Sequence, residues 1–539
     1  MSEPKEDKEA TEATAKGCSR REALRLSALA LGGLALGRGV VRADQQCTGA
    51  ACPEPTKCYP DKIDDTQTYS YFNNLPNKYY PNDPTDPNIA LQDGEMRITF
   101  LGSMVPPVRR AQAEMSIFVE VGPWVYDPKH MDPPDPTYGH AADSFVFDCG
   151  SGVCGNYGAM NIQYSRMNKI FLTHLHADHM SDLTHIFCFG PGGGRYSPLY
   201  VWGPGPSGVK NPKAPPKTYD DGTKAMCQHL REALRWCTES FAFQASAYEG
   251  YPKPSKKSWG LPCDPVPVGD DPADDGYALV PIELNWKKYG KKEGDNVAYD
   301  NPDTGVKITH FPVIHCRKGS IGYKLEYKGL SMIFTGDTKP EVMSVNSAIN
   351  GGNGVDVFIH EMGLPPELWA MKNLHLDQPA SGPQWDATVN EMTTVINSSH
   401  SPFGAFGYLI SQVNPKPRLT VATHFQSADD TVACAKNSIL YHWPEMQWGQ
   451  NFIVSFDLMV LKVTQAAITQ FQANVPAFGF SPLISVPANL KAPKYWTWGV
   501  DSNGNKVKVG DPYAQIDRST QIPECDPVTH DCNYRDDGY

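Results

Sequence analysis

The sequence predicts an α/β protein built on a sandwich of two β-sheets, with one long insertion and irregular extensions at both ends. Short apolar segments of strand character recur over residues 96–463 in two similar halves, with loops between them. Pro (47) and Gly (46) are both abundant, which favours long ordered loops over a helical bundle. Hydrophobic residues make up 40 % and charged residues 20 %, so 539 residues can bury a sizeable core in one large domain or in two.

From the N-terminus, residues 1–43 read as a targeting segment. Ser19-Arg20-Arg21-Glu22-Ala23-Leu24-Arg25 resembles a twin-arginine export signal, and the apolar run behind it, residues 26–37, is too short to span a bilayer. Val41-Arg42-Ala43 then offers a cleavage site. An amphipathic N-terminal helix is the alternative, but it does not account for these features coming in that order. The formal charge is −12; removing residues 1–43 takes away eight basic and six acidic side chains, leaving 40 against 54 and a charge of −14. That acidity disfavours nucleic acid as the main partner, because binders of polyanions usually present a basic field. With no other long apolar segment, the expectation is a soluble protein without a membrane span, periplasmic or secreted through the twin-arginine machinery.

Residues 44–94 are polar and proline-rich, as in Tyr80-Pro81-Asn82-Asp83-Pro84, and are expected to form an irregular arm. Thirteen of the fourteen cysteines follow Ala43, with Cys47, Cys52 and Cys58 near one end and Cys525 and Cys532 near the other. In an oxidising compartment such cysteines read as staples for poorly packed tails. Thirteen is odd, so one thiol stays free or pairs between chains, which is compatible with a homodimer.

The main domain is expected over 95–465, with strands at 96–102, 116–121, 144–148 and 169–173 in its first half. Residues 203–301 are rich in Pro, Gly and Lys, with a helical piece at 223–236, and read as an insertion over the site. Strands return at 306–314, 321–327, 331–335, 355–359, 419–423 and 452–463. Residues 466–539 read as a proline-rich extension.

Chemistry concentrates in Thr173-His174-Leu175-His176-Ala177-Asp178-His179, where four potential ligands follow an apolar strand within six residues. His174 and His176, two apart, project to one side of a fraying strand, and Asp178 and His179 on the next turn can face a second ion. Imidazole and carboxylate suit zinc, and the mixture also admits iron or manganese. The bland alternative, surface histidines beside a helix start, fits poorly with donors packed this densely.

This HxHxDH pattern resembles the metallo-β-lactamase superfamily, and downstream motifs resemble its ribonuclease Z and arylsulfatase-like branch. They are Ser197-Pro198-Leu199-Tyr200-Val201-Trp202-Gly203-Pro204, His315 followed by Gly319-Ser320-Ile321-Gly322-Tyr323, Phe334-Thr335-Gly336-Asp337-Thr338, His360-Glu361, Ser399-His400-Ser401 and Thr423-His424-Phe425. The chain is also similar to proteins of this fold labelled for guanitoxin biosynthesis. The resemblance implies an αββα sandwich holding two zinc ions. One ion would take His174, His176 and His315; the other would take Asp178, His179 and His424, with Asp337 and a water bridging. It further implies that Asp148 orients a ligand imidazole, that Asp178 is catalytic as well as ligating, and that His400, charged by Glu361, donates a proton. The alternative for Asp148 is a helix cap, and for His400 a cap on a helix near Ser401-Pro402. His360 is a substitute donor, and His310, lacking the Gly-Ser-Ile-Gly-Tyr sequel, reads as a core histidine. Arg317 and Lys318 could meet an anionic substrate group, or they are an exposed basic pair.

The resulting expectation is attack by a metal-bound hydroxide on a small ester, such as a phosphodiester or aryl sulfate. Alternatives are a lactone or β-lactam hydrolase, a ribonuclease Z-like nuclease, and a catalytically inert metal-containing binding protein. Export through the Arg pair is checked by changing Arg20 and Arg21 to Lys: the precursor should remain in the cytoplasm, and normal cleavage of the double mutant would refute the assignment.

Overall fold

The computed structural model describes residues 75–106, 112–240, 254–269, 271–272, 275–289, 294–426, 429–475 and 496–510. The expected signal, most of the arm and Cys47, Cys52, Cys58, Cys525 and Cys532 lie outside the described residues. The chain divides into two compact units, Met1–Phe480 and Ser481–Tyr539.

The strands of the first unit's N-terminal half are β1 (Lys78–Tyr79), β2 (Met96–Gly102), β3 (Ser116–Val125), β4 (His140–Phe147), β5 (Lys169–Phe171), β6 (Leu199–Pro204) and β7 (Leu279–Leu284). There follow β8 (Val297–Asn301), β9 (Val306–Pro312), β10 (Ile321–Tyr327), β11 (Leu330–Phe334), β12 (Val357–Glu361), β13 (Leu419–Thr423), β14 (Phe452–Val454), β15 (Met459–Val463) and β16 (Ile468–Ala473). Its α-helices are α1 (Val153–Ala159), α2 (Ala177–Met180), α3 (Leu183–Phe189), α4 (Thr223–Ala233), α5 (Arg235–Ser240), α6 (Val342–Ile349), α7 (Pro366–Leu374), α8 (Pro383–Ser399), α9 (Phe403–Ser411) and α10 (Asp429–His442). In the second unit a hairpin pairs β17 (Trp496–Val500) with β18 (Lys506–Gly510).

One sheet has the order β1-β16-β15-β2-β3-β4-β5-β6-β7 and the other β14-β13-β12-β11-β10-β9-β8. Pairing is parallel from β4 through β7 and from β11 through β14. Alternation along each strand sends neighbours to opposite layers. Phe171 faces the opposite sheet while Ile170 packs with α1 and α3; Val357 and Ile359 point inward while Phe358 meets α9 and α10. The result is four layers, helix–sheet–sheet–helix, as expected.

An aromatic cluster locks the sheets together beneath one end. Phe171 stacks on Trp202 at 4.4 Å between centroids and meets Tyr323 of the opposite sheet edge-on at 5.5 Å. The Tyr323 hydroxyl donates to the Leu172 carbonyl at 2.8 Å, tying the sheets together two residues before His174. Each ring buried this way contributes about 1.5–3 kcal/mol.

Three sequence readings are corrected. The expected strand 452–463 is two: β14 ends one sheet, the chain crosses at Leu458 (φ 67°), and β15 enters the other. Residues 279–301, assigned to the insertion, supply β7 and β8 at the edges of both sheets. Pro281 disguises β7, since a proline is tolerated in a strand at a sheet edge. The arm and the C-terminal extension likewise contribute β1 and β16, which pair with each other. Among the described residues no helix is long and apolar enough to cross a membrane.

Gly336 follows β11 with φ 60°, and a Cβ there would lie 2.5 Å from the Thr173 Cβ. Gly336→Ala should therefore cost about 1–3 kcal/mol in urea denaturation; an unchanged midpoint would refute this close approach.

Candidate functional site

Both sheets end their parallel strands on the same side, and the candidate donors stand there. A short strand and an immediate helix place the first four: β5 finishes at Phe171, His174 and His176 leave the strand, and α2 starts at Ala177 with Asp178 and His179 in its turn. From the other sheet, Asp337 follows β11, Glu361 ends β12, His424 follows β13, and His315 sits between β9 and β10. His400 follows α8, and Asp148 follows β4.

These residues converge as three donor groups: His174, His176 and His315; Asp178, His179, Asp337 and His424; and His315, Asp337, Glu361 and His400. Asp337 joins them. Its Oδ1 lies 3.2 Å from His179 Nε2 and 3.4 Å from His424 Nδ1, and its Oδ2 lies 3.7 Å from His315 Nε2. Asp178 Oδ2 is 3.2 Å from His424 Nε2, and His176 Nδ1 is 3.1 Å from His315 Nε2.

Groups behind the donors fix their ring orientations. His179 Nδ1 donates to Asp148 Oδ2 at 2.7 Å, and Asp148 also accepts from the Thr173 amide and hydroxyl, each at 2.8 Å. Having given its proton to Asp148, the Thr173 hydroxyl accepts from His174 Nδ1 at 3.1 Å. His315 Nδ1 donates to the Ser399 carbonyl at 2.9 Å. In each case this fixes the ring and turns Nε2 toward the centre, the nitrogen a metal would take. Asp148 and His424 hold these positions at φ 55° and 54°, conformations costly for residues with side chains and tolerated where a site demands them.

Burial pushes the His174 imidazole well below its usual range, and the neighbouring His179 reinforces this. Burial opposes a charge on His179 too, but Asp337, Asp178 and Asp148 overcome it and hold the ring protonated. Burial likewise opposes ionisation of Asp337, yet His424, His179 and His315 keep its carboxyl well below the carboxylate range. Here a proton on His179 offsets the clustered carboxylates, a role that bound cations would take over. His174 Nε2, His179 Nε2 and Asp337 Oδ1 are buried with no hydrogen-bond partner among the described residues. Unsatisfied donors and acceptors of this kind, converging from three elements, fit a divalent metal.

His400 stands beside this centre. Its Nδ1 lies 2.8 Å from Glu361 Oε2, and the Thr338 amide donates to Oε1 of the same carboxylate. Burial works against a charge on His400, but Glu361, with Asp337 behind it, pushes the imidazole up to about 10. The helix after it starts at Phe403 without a side-chain cap, so the ring of His400 is committed to Glu361 rather than to capping.

A cavity of about 230 Å³ opens onto the centre. His176, Asp178, His315, Asp337, Glu361, His400 and His424 form its polar floor; Met362, Leu364, Trp369, Ile396 and Phe425 supply apolar walls. Arg317 and Lys318 do not line it. Arg317 pairs with Asp221 and lies over the Tyr219 ring, while Lys318 is exposed. His360 turns away between Phe358 and Phe406, and His310 is buried opposite Tyr323, so neither joins the donors. Sequence reasoning missed Thr173 and the Ser399 carbonyl, which orient ligands through their immediate neighbours. It also missed the apolar walls, which carry no local signal.

No protein-family model matches the chain. It is 29 % identical over 225 residues to ribonuclease BN of Proteus mirabilis, an alignment covering 40 % of this chain and 65 % of that relative. It is 39 % identical over 62 residues to ribonuclease Z of Treponema denticola, covering 12 % and 20 %. The chain thus spans less than two thirds of the length of either relative. Among solved structures, the metallo-β-lactamase fold protein YhfI from Bacillus subtilis aligns at 12 % identity and TM-score 0.39, over 68 % of this chain and 100 % of that one. Human tRNase Z, short form, aligns at 16 % identity and TM-score 0.33, over 68 % and 98 %.

Asp148→Asn keeps the shape but removes the charge that holds His179. Metal affinity should fall about 10–100-fold in chelator competition; an unchanged affinity would show that Asp148 serves only the backbone.

Proposed function

We propose that this chain belongs to the metallo-β-lactamase superfamily on its ribonuclease Z side and is an exported dinuclear-zinc hydrolase of a small ester, such as a phosphodiester or aryl sulfate. The observation that carries the proposal is Asp337. It stands between a three-histidine group and an Asp–His–His group, with a charged histidine beside it. His174, His176 and His315 would hold one ion, and Asp178, His179 and His424 the other, with Asp337 between them. Two divalent cations so held would acidify a water between them and draw charge from an ester oxygen.

The remaining steps belong to side chains. The donor rings, turned by Asp148, Thr173 and Ser399, fix where the scissile group is presented. Glu361 holds His400 by Nδ1, leaving Nε2 to give its proton to the departing oxygen. In the apo protein this imidazole stays charged up to about 10, and cations alongside would lower that value toward neutrality. A donor is most effective near its working pH.

A ribonuclease Z-like nuclease is the second reading, favoured by the likeness to ribonucleases BN and Z. Against it, no Lys or Arg is among the described residues that line the cavity. RNA cleavage by the purified protein at rates matching small esters would reverse the order of the two readings.

The dinuclear assignment requires about two metal ions per chain by elemental analysis, and a fully loaded preparation with one ion would sink it. Asp337→Ala should weaken both ions and abolish turnover; an active variant would show that another residue bridges.

His400→Ala should retain both metals and slow esters with basic leaving groups about 100-fold or more, while sparing nitrophenyl esters that depart without a proton. Glu361→Gln should show the same pattern more weakly. The check is kcat/KM against leaving-group pKa; equal losses across the series would leave His400 without a role in proton transfer.

A further inference from the structure

We propose that the apolar side of the cavity is a compartment for an uncharged aromatic or branched apolar leaving group, with the Gln426 amide hydrogen-bonding a polar substituent on it. The proposal rests on the hydrolase reading above and names the substrate class of that site: monoesters or diesters of an apolar phenol or alcohol, rather than nucleic acid.

Gln426 is 1 % exposed, lines the cavity, and has neither amide atom hydrogen-bonded among the described residues. Burying a primary amide with both ends unsatisfied costs about 1–3 kcal/mol, and the position is sensible when a ligand supplies the partner. Its backbone carbonyl is taken by the Thr431 hydroxyl, so the residue is anchored while its side chain is not.

The walls beside it are chemically uniform. Met362, Leu364, Ile396 and Phe425 are buried and Trp369 is half-buried, all bordering the cavity. Ile396 precedes His400 by four residues at the end of α8, so the apolar wall begins one turn from the proton donor, on the leaving-group side. The volume, about 230 Å³, exceeds the roughly 150 Å³ with which an apolar protein cavity takes up benzene, so a substituted or fused ring fits.

Charge limits the occupant further. The cations would neutralise the scissile phosphate or sulfate, but a second anionic group farther out would find no Lys or Arg among the described lining residues. Arg317, the nearest guanidinium in sequence to a donor, is already paired with Asp221.

The test uses metal-loaded full-length protein with 2-naphthol, an uncharged aromatic alcohol, and 2-naphthol-6-sulfonate, its anionic counterpart. Calorimetric titration should show naphthol binding at least tenfold more tightly than the sulfonate, and naphthol should compete with bis(4-nitrophenyl) phosphate. Trp369→Ala should weaken naphthol about tenfold, with Trp369→Phe restoring part of the loss, and Gln426→Leu, nearly the same size, should weaken 2,6-dihydroxynaphthalene, whose second hydroxyl the amide would meet, about tenfold while leaving 2-naphthol unaffected. Equal binding of the two probes, or variants indistinguishable from wild type, would overturn the compartment while leaving the hydrolase reading intact. Naphthol binding with the expected variant losses but no turnover of any ester would instead remove the hydrolase reading and keep the compartment.

Discussion

Asp337 brings its two oxygens into a buried space shared with His179, His424, His315 and His400, all within 3.9 Å. Concentrating carboxylates and imidazoles away from water is costly unless their charges are matched and their ring nitrogens occupied. Much of the local architecture answers that constraint. Asp148 holds one ring, a backbone carbonyl another and Glu361 a third, and two residues adopt left-handed backbone conformations to complete the set. Cations seated among these donors would resolve the imbalance, so metal binding and folding should be thermodynamically linked here.

The constraint also explains why the site needs both halves of the sandwich. His174, His176, Asp178 and His179 come from the end of one sheet, and His315, Asp337, Glu361 and His424 from the other. Neither sheet alone assembles the His174–His176–His315 group or the Asp178–His179–Asp337–His424 group. The Phe171–Trp202–Tyr323 cluster and the bond from Tyr323 to the Leu172 carbonyl hold the sheets in register directly below. Gly336 lets β11 approach Thr173 closely enough for Asp337 to reach the donors of the other sheet.

Around this centre the cavity separates two tasks. Its floor is charged; its walls, drawn from the segment after β12, from α7 and α8 and from the segment after β13, are apolar. His400 stands at the junction, held by Glu361 at the end of β12 and linked through α8 to the wall. On the hydrolase reading, the floor would hold the metals while the walls would select the group attached to the ester.

The sequence by itself determined the donors and most strands. Histidines and aspartates spaced as in residues 174–179 after an apolar strand have few other uses, and β2, β10 and β13 follow from their apolar runs alone. These are local signals, carried by side-chain chemistry and a period of two. It did not show that 452–463 crosses between sheets, or that residues 78–79 and 468–473 pair, because strand partners are chosen by packing across hundreds of residues. Nor did it show that Arg317 is already engaged by Asp221, or that Trp369, Ile396 and Gln426 line one cavity with His424. Those residues come from separate elements and have no spacing rule in common. Only tertiary packing brings Trp369, Ile396 and Gln426 to one cavity and Arg317 to Asp221, and there burial and proximity, rather than residue type, decide what each can do.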